Sequence, residues 1–242
     1  MTSVAVQILG ASFFSTHHAG AADAVAGRVR PVTPPAFPLL VARARRFTSL
    51  VTQMHIEVCG ALPVDRAAPP TTVFATCQGE IQTADMLIAD FRANAMVSSA
   101  RFALSVHNTP SGLYSVATGS TAPSTTITGS NAIAAGWLEA ALTALEADGN
   151  VILSIADEPV PAVFQGPSEP AGVAAAFLLA PAAGGSSPGR SAQLVMTPST
   201  DDVEVHALDV LARAADAASG STPATVRLGR IQPGQTLELR FG

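Results

Sequence analysis

Apolar and polar positions along the chain fall into short runs that alternate between a strand-like and a helix-like rhythm. Val4 to Leu9 is an apolar run closed by Gly10 and reads as a buried strand. Residues 15 to 38 are rich in Gly, Ala and Pro, with Pro31, Pro34, Pro35 and Pro38 close together, and read as irregular, partly extended chain. Leu40, Ala44, Phe47, Leu50, Val51, Met54, Val58 and Ala61 then recur at spacings of three and four, which predicts a helix with one apolar face, ended by Pro63. Arg43, Arg45 and Arg46 fall largely off that face. Thr71 to Thr76 is β-branched and aromatic and predicts a buried strand, closed by Gly79 and Glu80.

A helix is expected over Thr83 to Ser98, a strand over 101 to 106, and an apolar patch, Leu113 to Ala117, among Pro110, Gly112 and Gly119. Ser124 to Thr128 predicts a strand of small β-branched residues, and Asn131 to Leu145 a helix of Ala, Leu and Ile. Val151 to Ile155 is almost wholly apolar, as in a sheet covered on both faces. Gly172 to Leu179 and Gln193 to Thr197 read as further strands around a Gly/Ser/Pro loop at 181 to 190. Asp201 to Ala218 predicts a helix with acidic residues at its start and Gly220 beyond its end. Thr225 to Leu228 and Leu237 to Phe241 are short final strands. Strands alternating with helices predict an α/β fold: a mixed, mostly parallel sheet with helices on both faces, formed by residues 1–242 as one domain without internal repeat.

Composition narrows the function. With 48% hydrophobic and 13% charged residues, the 242-residue chain can bury a large core. The shortage of charge fits an obligate partner covering part of the surface, or simply an alanine-rich proteome. All 13 cations are Arg, the net charge is −5, and no basic stripe is present to meet a phosphate backbone. No apolar run approaches the ~18 residues of a membrane span, and the apolar start reads as a first strand, not a signal peptide. Cys59 and Cys77 form no metal-binding spacing, so neither metal nor cofactor is expected and reduced thiols in the cytoplasm fit. Cys59 lies on the apolar side of its predicted helix and reads as core; His17 and His18 read as loop residues.

The informative segment runs from Leu104 to Asn131: Ser105-Val-His107-Asn108, then Gly112 and Gly119, then Ala122-Pro123-Ser124-Thr125, then Ser130-Asn131. It resembles the ketosynthases of the thiolase superfamily. In that family an Asn starts a helix that runs to a Gly, and a strand then leads into a tight turn bearing the catalytic cysteine at the start of a buried helix. The likeness extends to the branch called chain length factors through an Arg-rich helix start near Arg43 to Phe47, Val73-Phe-Ala-x-x-x-Gly79-Glu80, and Asp157-Glu158-Pro159. It covers roughly residues 40 to 180.

The resemblance implies a thiolase-like layered fold and places Asn131 where the nucleophile would stand. A ketosynthase needs a thiolate there, activated by the helix N-terminus, and two histidines to assist decarboxylation and hold the oxyanion. Asn131 is neither Cys nor the acidic residue usual in the branch. No Gly-flanked His motif follows, and the chain is about half a ketosynthase in length. The implied function is a subunit with no catalytic residue of its own, paired as a heterodimer with an active β-ketoacyl synthase in fatty-acid, polyketide or aryl-polyene-type synthesis, with an acyl carrier protein as a further partner. In isolation the chain would be a monomer or a homodimer. Ser124 to Thr128 and Asn108 to Gly119 would face the partner.

The tunnel or interface candidates are His107, Asn108, Leu113, Tyr114, Val116, Ser124, Thr126, Asn131 and Trp137. Asn131 alternatively caps its helix through its amide, Trp137 alternatively sits in the core, and His107 alternatively bonds backbone at a corner. Asp157 and Glu158, at a strand end, read as structural or partner-facing. Two rival readings remain at this level. One is a stand-alone acyltransferase or thioesterase using Cys77 or a serine with His107, although Ser105 and Ser115 lack a Gly-x-Ser-x-Gly elbow. The other is a homodimeric scaffold with no acyl chemistry.

Overall fold

Seven consecutive buried residues, Val151–Asp157, form the strand around which the molecule is organised. A computed structural model describes residues 3–30, 32, 39–164, 171–182, 189–199 and 205–242, without the side chains of residues 42 and 43. In chain order the elements are β1 (Ser3–Ser15), α1 (Ala21–Val25), α2 (Ala42–Arg45), α3 (Leu50–Gly60), β2 (Thr71–Thr76), α4 (Ile81–Asn94), α5 (Ser99–Ala103), α6 (Thr109–Thr118), β3 (Ser124–Thr128), α7 (Ala132–Ala147), β4 (Val151–Asp157), β5 (Val173–Pro181), β6 (Arg190–Pro198), α8 (Ala207–Ser219), β7 (Ala224–Gln232) and β8 (Gln235–Phe241). The strands form one eight-stranded sheet in the order β3-β2-β4-β5-β1-β6-β8-β7.

Alternation along the central strands divides the core between two faces. Val73, Ala75, Val151, Leu153, Ile155, Ala175 and Phe177 face α7 and α8. Phe74, Ile152, Ala174, Ala176 and Leu178 face the other way, against α3 and Tyr114 of α6. Each fully buried Leu, Ile or Phe contributes roughly 1.5–3 kcal/mol, so a strand apolar on both faces binds two helical layers at once. Helices on both faces are therefore as expected.

The strand directions are not. Only β2–β3 and β2–β4 are parallel, whereas the other five pairings are antiparallel. The expected mostly parallel sheet rested on strand–helix alternation, but no described helix lies between β4 and β5, and β7 and β8 join through a tight turn at Gly234. Such connections reverse the chain.

Other expectations shift with local chemistry. The single helix over 40 to 61 is two, because Ser49 takes an extended conformation and accepts from Thr52 N (3.1 Å), starting a new helix. Residues 101 to 106 hold no strand. Ser98 accepts from Arg101 N and opens α5, and the segment has no sheet neighbour. Strand β1 runs on to Ser15, and α1 occupies part of the stretch expected to be irregular. Pro31, Pro34, Pro35 and Pro38, most of the loop at 181 to 190, and Asp201 at the expected start of α8 lie outside the described residues. Thr71–Thr76 and Ser124–Thr128 are strands as expected. Among the described residues no helix is long and apolar enough to cross a membrane.

Close packing between α7 and the sheet requires a glycine. A Cβ at Gly136 would stand 2.7 Å from the Ala75 Cβ and 3.4 Å from Leu153 Cδ1. Alanine in place of a mid-helix glycine ordinarily gains about 1 kcal/mol; here the clash with another strand's backbone-linked carbon reverses the sign. Gly136→Ala is expected to destabilise the protein by roughly 1–3 kcal/mol, read as a lowered midpoint in urea unfolding.

Candidate functional site

The polar interior gathers at the C-terminal ends of β2 and β4, where the parallel strands deliver Thr76 and Asp157 side by side. Asp157 Oδ1 accepts from Thr76 Oγ1 (2.9 Å), Cys77 N (2.8 Å) and Gln78 N (3.1 Å), fixing the turn that leaves β2. That turn continues through Gly79, whose φ of +61° favours glycine and which lies against His107.

The next residue on each strand's exit is a glutamate, and both are buried. Glu80 Oε1 accepts from Ser49 Oγ (2.8 Å) and Thr52 Oγ1 (2.5 Å), and its Oε2 from Thr83 Oγ1 (2.9 Å). Glu158 Oε2 accepts from Val51 N (3.1 Å) and its Oε1 from Gln82 N (3.2 Å), while Gln82 Nε2 donates to the Pro159 carbonyl (2.5 Å). One carboxylate thus supplies acceptors to the first turns of both α3 and α4, where main-chain N–H groups lack helical partners. Among the described residues no arginine contacts Glu80, Asp157 or Glu158.

Burial without a cation raises all three acids. Burial pushes Glu158 up to about 7, reinforced by Glu80 and Asp157 and opposed by the Gln82 and Val51 N–H groups. Asp157 rises to about 6 by burial, against its hydrogen bonds at Gln78, Thr76 and Cys77. Glu80 also lies above the ordinary carboxylate range, by burial against the hydroxyls of Thr52, Ser49 and Thr83.

On the far side of β4, His55 Nδ1 shares a hydrogen bond with Ser154 Oγ (2.8 Å), and its ring meets Phe74 edge-on. Burial lowers His55 to about 3, so it is neutral, and its Nε2 has no partner among the described residues. Burial pushes the Cys59 thiol of the same helix up to about 12, partly offset by Ser154. Neither is an activated acyl-transfer group.

Of the candidate residues, Asn108 stands at the start of α6 and Gly119 at its end, as the family pattern implied. His107, Asn108, Val116, Ser124 and Asn131 are exposed, and Val116 is 80% so. Thr126 and Leu113 are half-buried; Tyr114 is buried against Phe74. Ser124 and Thr126 lie on β3, at an edge of the sheet. Trp137 does not join them: it is wholly buried, 4.6 Å from Phe177 between ring centroids, on the α7 side of the sheet. The small residues on the buried face of α7, Gly136, Ala140, Ala141 and Ala144 among them, leave room for one large ring there, in line with its core alternative. Asn131 does stand at the start of α7, but its side chain makes no capping bond.

Among the described residues Ser105 and Ser115 bond main-chain carbonyls and pair with no histidine. Ser105 Oγ donates to the Phe102 carbonyl (2.8 Å) and Ser115 Oγ to the Ser120 carbonyl. Among the described residues no cluster of His, Cys, Asp and Glu could hold a metal ion. Of the histidines read as loop residues, His17 is exposed, whereas His18 is buried and its Nδ1 meets Ser15 Oγ (3.0 Å). Sequence reasoning left His55 aside altogether; its place between buried Met54 and Ile56 is the one signal that marks it as interior.

The raised acids predict a pH signature. An acid whose folded value exceeds its unfolded one binds its proton more tightly when folded, so it favours folding at low pH and loses that contribution as pH rises. For Glu158 the window runs from its ordinary 4.5 to about 7. His55, lowered from 6.5 to about 3, acts oppositely below 6.5, which makes the difference between variants the clean observable. The stability advantage of the wild type over Glu158→Gln is expected to shrink by roughly 1–3 kcal/mol between about pH 5 and pH 8, measured by urea unfolding across that range.

Comparison with known proteins accords with this geometry. No curated protein matches the chain. One solved structure similar to it is a chain of the complex of the ketosynthase ApeO with its chain length factor ApeC from Xenorhabdus doucetiae: 15% identity, TM-score 0.73, covering 98% of this chain and 99% of that one. A chain of the AntDE:AntF complex, a type II polyketide synthase acyl-carrier protein with its ketosynthase bound to the hexaketide, gives 11%, 0.67, 100% and 99%. The ishigamide ketosynthase/chain length factor gives 14%, 0.53, 74% and 59%. These likenesses establish a thiolase-like ketosynthase fold. Residues 20–227 match the model of the beta-ketoacyl synthase N-terminal domain, and the chain belongs to that family.

Proposed function

We propose that this chain is a non-catalytic, chain-length-factor-like subunit that pairs with an active β-ketoacyl synthase acting on carrier-bound acyl chains. The observation that carries the reading is the corner before α7. Strand β3 runs through Gly129 into Asn131 at the head of a helix whose first residues are buried, and the side chain presented there is an exposed amide. An amide cannot form the acyl thioester on which Claisen condensation depends. The two thiols lie elsewhere: Cys59 is sealed in the core, and Cys77 belongs to the turn held by Asp157.

Partner binding draws support from the same side of the fold. Among the described residues strand β3 has a neighbour only at β2 and offers its other edge, and an unpaired edge is a template for another chain. Phe91, Met96, Phe102 and Val106, in the segment leading to α6, and Val116 within it are exposed apolar side chains that a partner would cover. The neighbours named above occur in complexes of ketosynthases with chain length factors or carrier protein, which supports a heterodimer in polyketide or aryl-polyene-type synthesis. In this reading Leu113, Tyr114, Val116, Ser124 and Thr126 border the partner or its acyl tunnel, with His107, Asn108 and Asn131 at its rim. Residues 1–242 act as one domain in that assembly.

Co-expression with a cysteine-containing ketosynthase encoded beside it tests the proposal. The two chains should co-purify as a stoichiometric complex that makes product. Val116→Asp should weaken the complex at least tenfold while leaving the melting temperature of the isolated chain unchanged. Condensation by the chain alone, or retention of the complex with Val116→Asp and Thr126→Pro together, would count against it.

A further inference from the structure

Glu80 and Glu158 enter the same gap from two different strand ends. Each bonds the first turn of α3, at Ser49 and Thr52 for one and Val51 for the other. Each also bonds the first turn of α4, at Thr83 and Gln82 respectively. Beyond this gap α4 has little hold on the body. Thr83 and Leu87 are its only buried residues, and α5 has none. From Phe91 to Ala103 every residue is exposed, and the two helices are tied to each other by Arg101 and Asp90. The α4–α5 segment is therefore an arm whose root is a pair of carboxyl groups.

Two ionised carboxylates in one buried gap repel each other, and among the described residues no ion pair to either is present. The groups facing the pair are hydroxyls and main-chain N–H from α3 and α4, Asp157 from β4, and the turn at Cys77 and Gln78 that Asp157 holds. We infer that Glu80 and Glu158 form a proton-dependent latch for the α4–α5 arm, closed while the pair retains a proton and loosened when both are ionised. A proton on either acid removes the repulsion and leaves enough lone pairs for the five hydrogen bonds to α3 and α4. Burial raises both acids, Glu158 to about 7. The inference concerns the isolated chain and stands whether or not a ketosynthase is its partner.

Amide hydrogen exchange of the full chain tests it, with rates corrected for the pH dependence of intrinsic exchange and α4–α5 compared with β4 and β5 in the same sample. Raising the pH from about 6 to about 8 should lower protection of α4–α5 roughly tenfold and leave the strands unchanged. Glu80→Gln keeps the shape and removes one charge, so its arm should stay protected at both pH values. Equal protection at both pH values in the wild type, or the same loss in Glu80→Gln, overturns the latch. Should Glu80→Gln fail to fold, infrared spectra of wild-type protein carrying labelled glutamate decide. A protonated-carboxyl band shifted by the label should be present at pH 6 and gone at pH 8, and its absence at pH 6 overturns the inference.

Discussion

The fold depends on acceptors being available where β4 ends. Strand β4 is buried along its whole length and paired on both sides, so the residues that leave it are fixed in place. Asp157 uses that position to hold the turn after β2, and Glu158 uses it to end-cap α3 and α4 together. Main-chain N–H groups at a buried helix start need partners as surely as side chains do, and each left without one costs about 1–3 kcal/mol. A pair of adjacent acidic residues thereby ties the end of β4 to α3 and to the β2–α4 turn, which are far from it in sequence.

That arrangement gives a physical meaning to the short motifs shared with the family. Val73-Phe-Ala-x-x-x-Gly79-Glu80 contributes a strand with an inward face, a turn only glycine fits easily, and a carboxylate between two helices. Asp157-Glu158-Pro159 contributes the reciprocal acceptors. These residues hold the scaffold. The corner before α7 places Asn131 at the head of a buried helix with its amide exposed. An intact scaffold with an amide at that corner is what the proposed role as a partner subunit requires.

Much of this was legible in the sequence, and the misses have identifiable causes. Thr71–Thr76 and Ser124–Thr128 announce themselves by β-branched runs between turn residues, and the buried helix after Asn131 by its alanine-rich face. Residues 101 to 106 alternate like a strand, yet Ser98 caps a helix there and no neighbouring strand is at hand to reward extension. Strand direction was misjudged because alternation of elements does not reveal which connections lack a helix. Glu80, Asp157 and Glu158 were visible as motif members, but Glu158's partners lie 107 and 76 residues away, and no local pattern encodes such pairings. In the sequence Trp137 is a tunnel or interface candidate with a core alternative, and the small residues of α7 let the helix approach the sheet and enclose its ring.

The account turns on whether this chain can carry an acyl group itself. Intact-mass spectrometry after incubation with an acyl thioester, with the chain alone and with its ketosynthase, addresses that most directly. The account predicts no mass increment on this chain in either mixture and an acyl increment on the ketosynthase. An increment on this chain, mapped to Cys77 or to a serine and abolished by replacing it, would contradict the account.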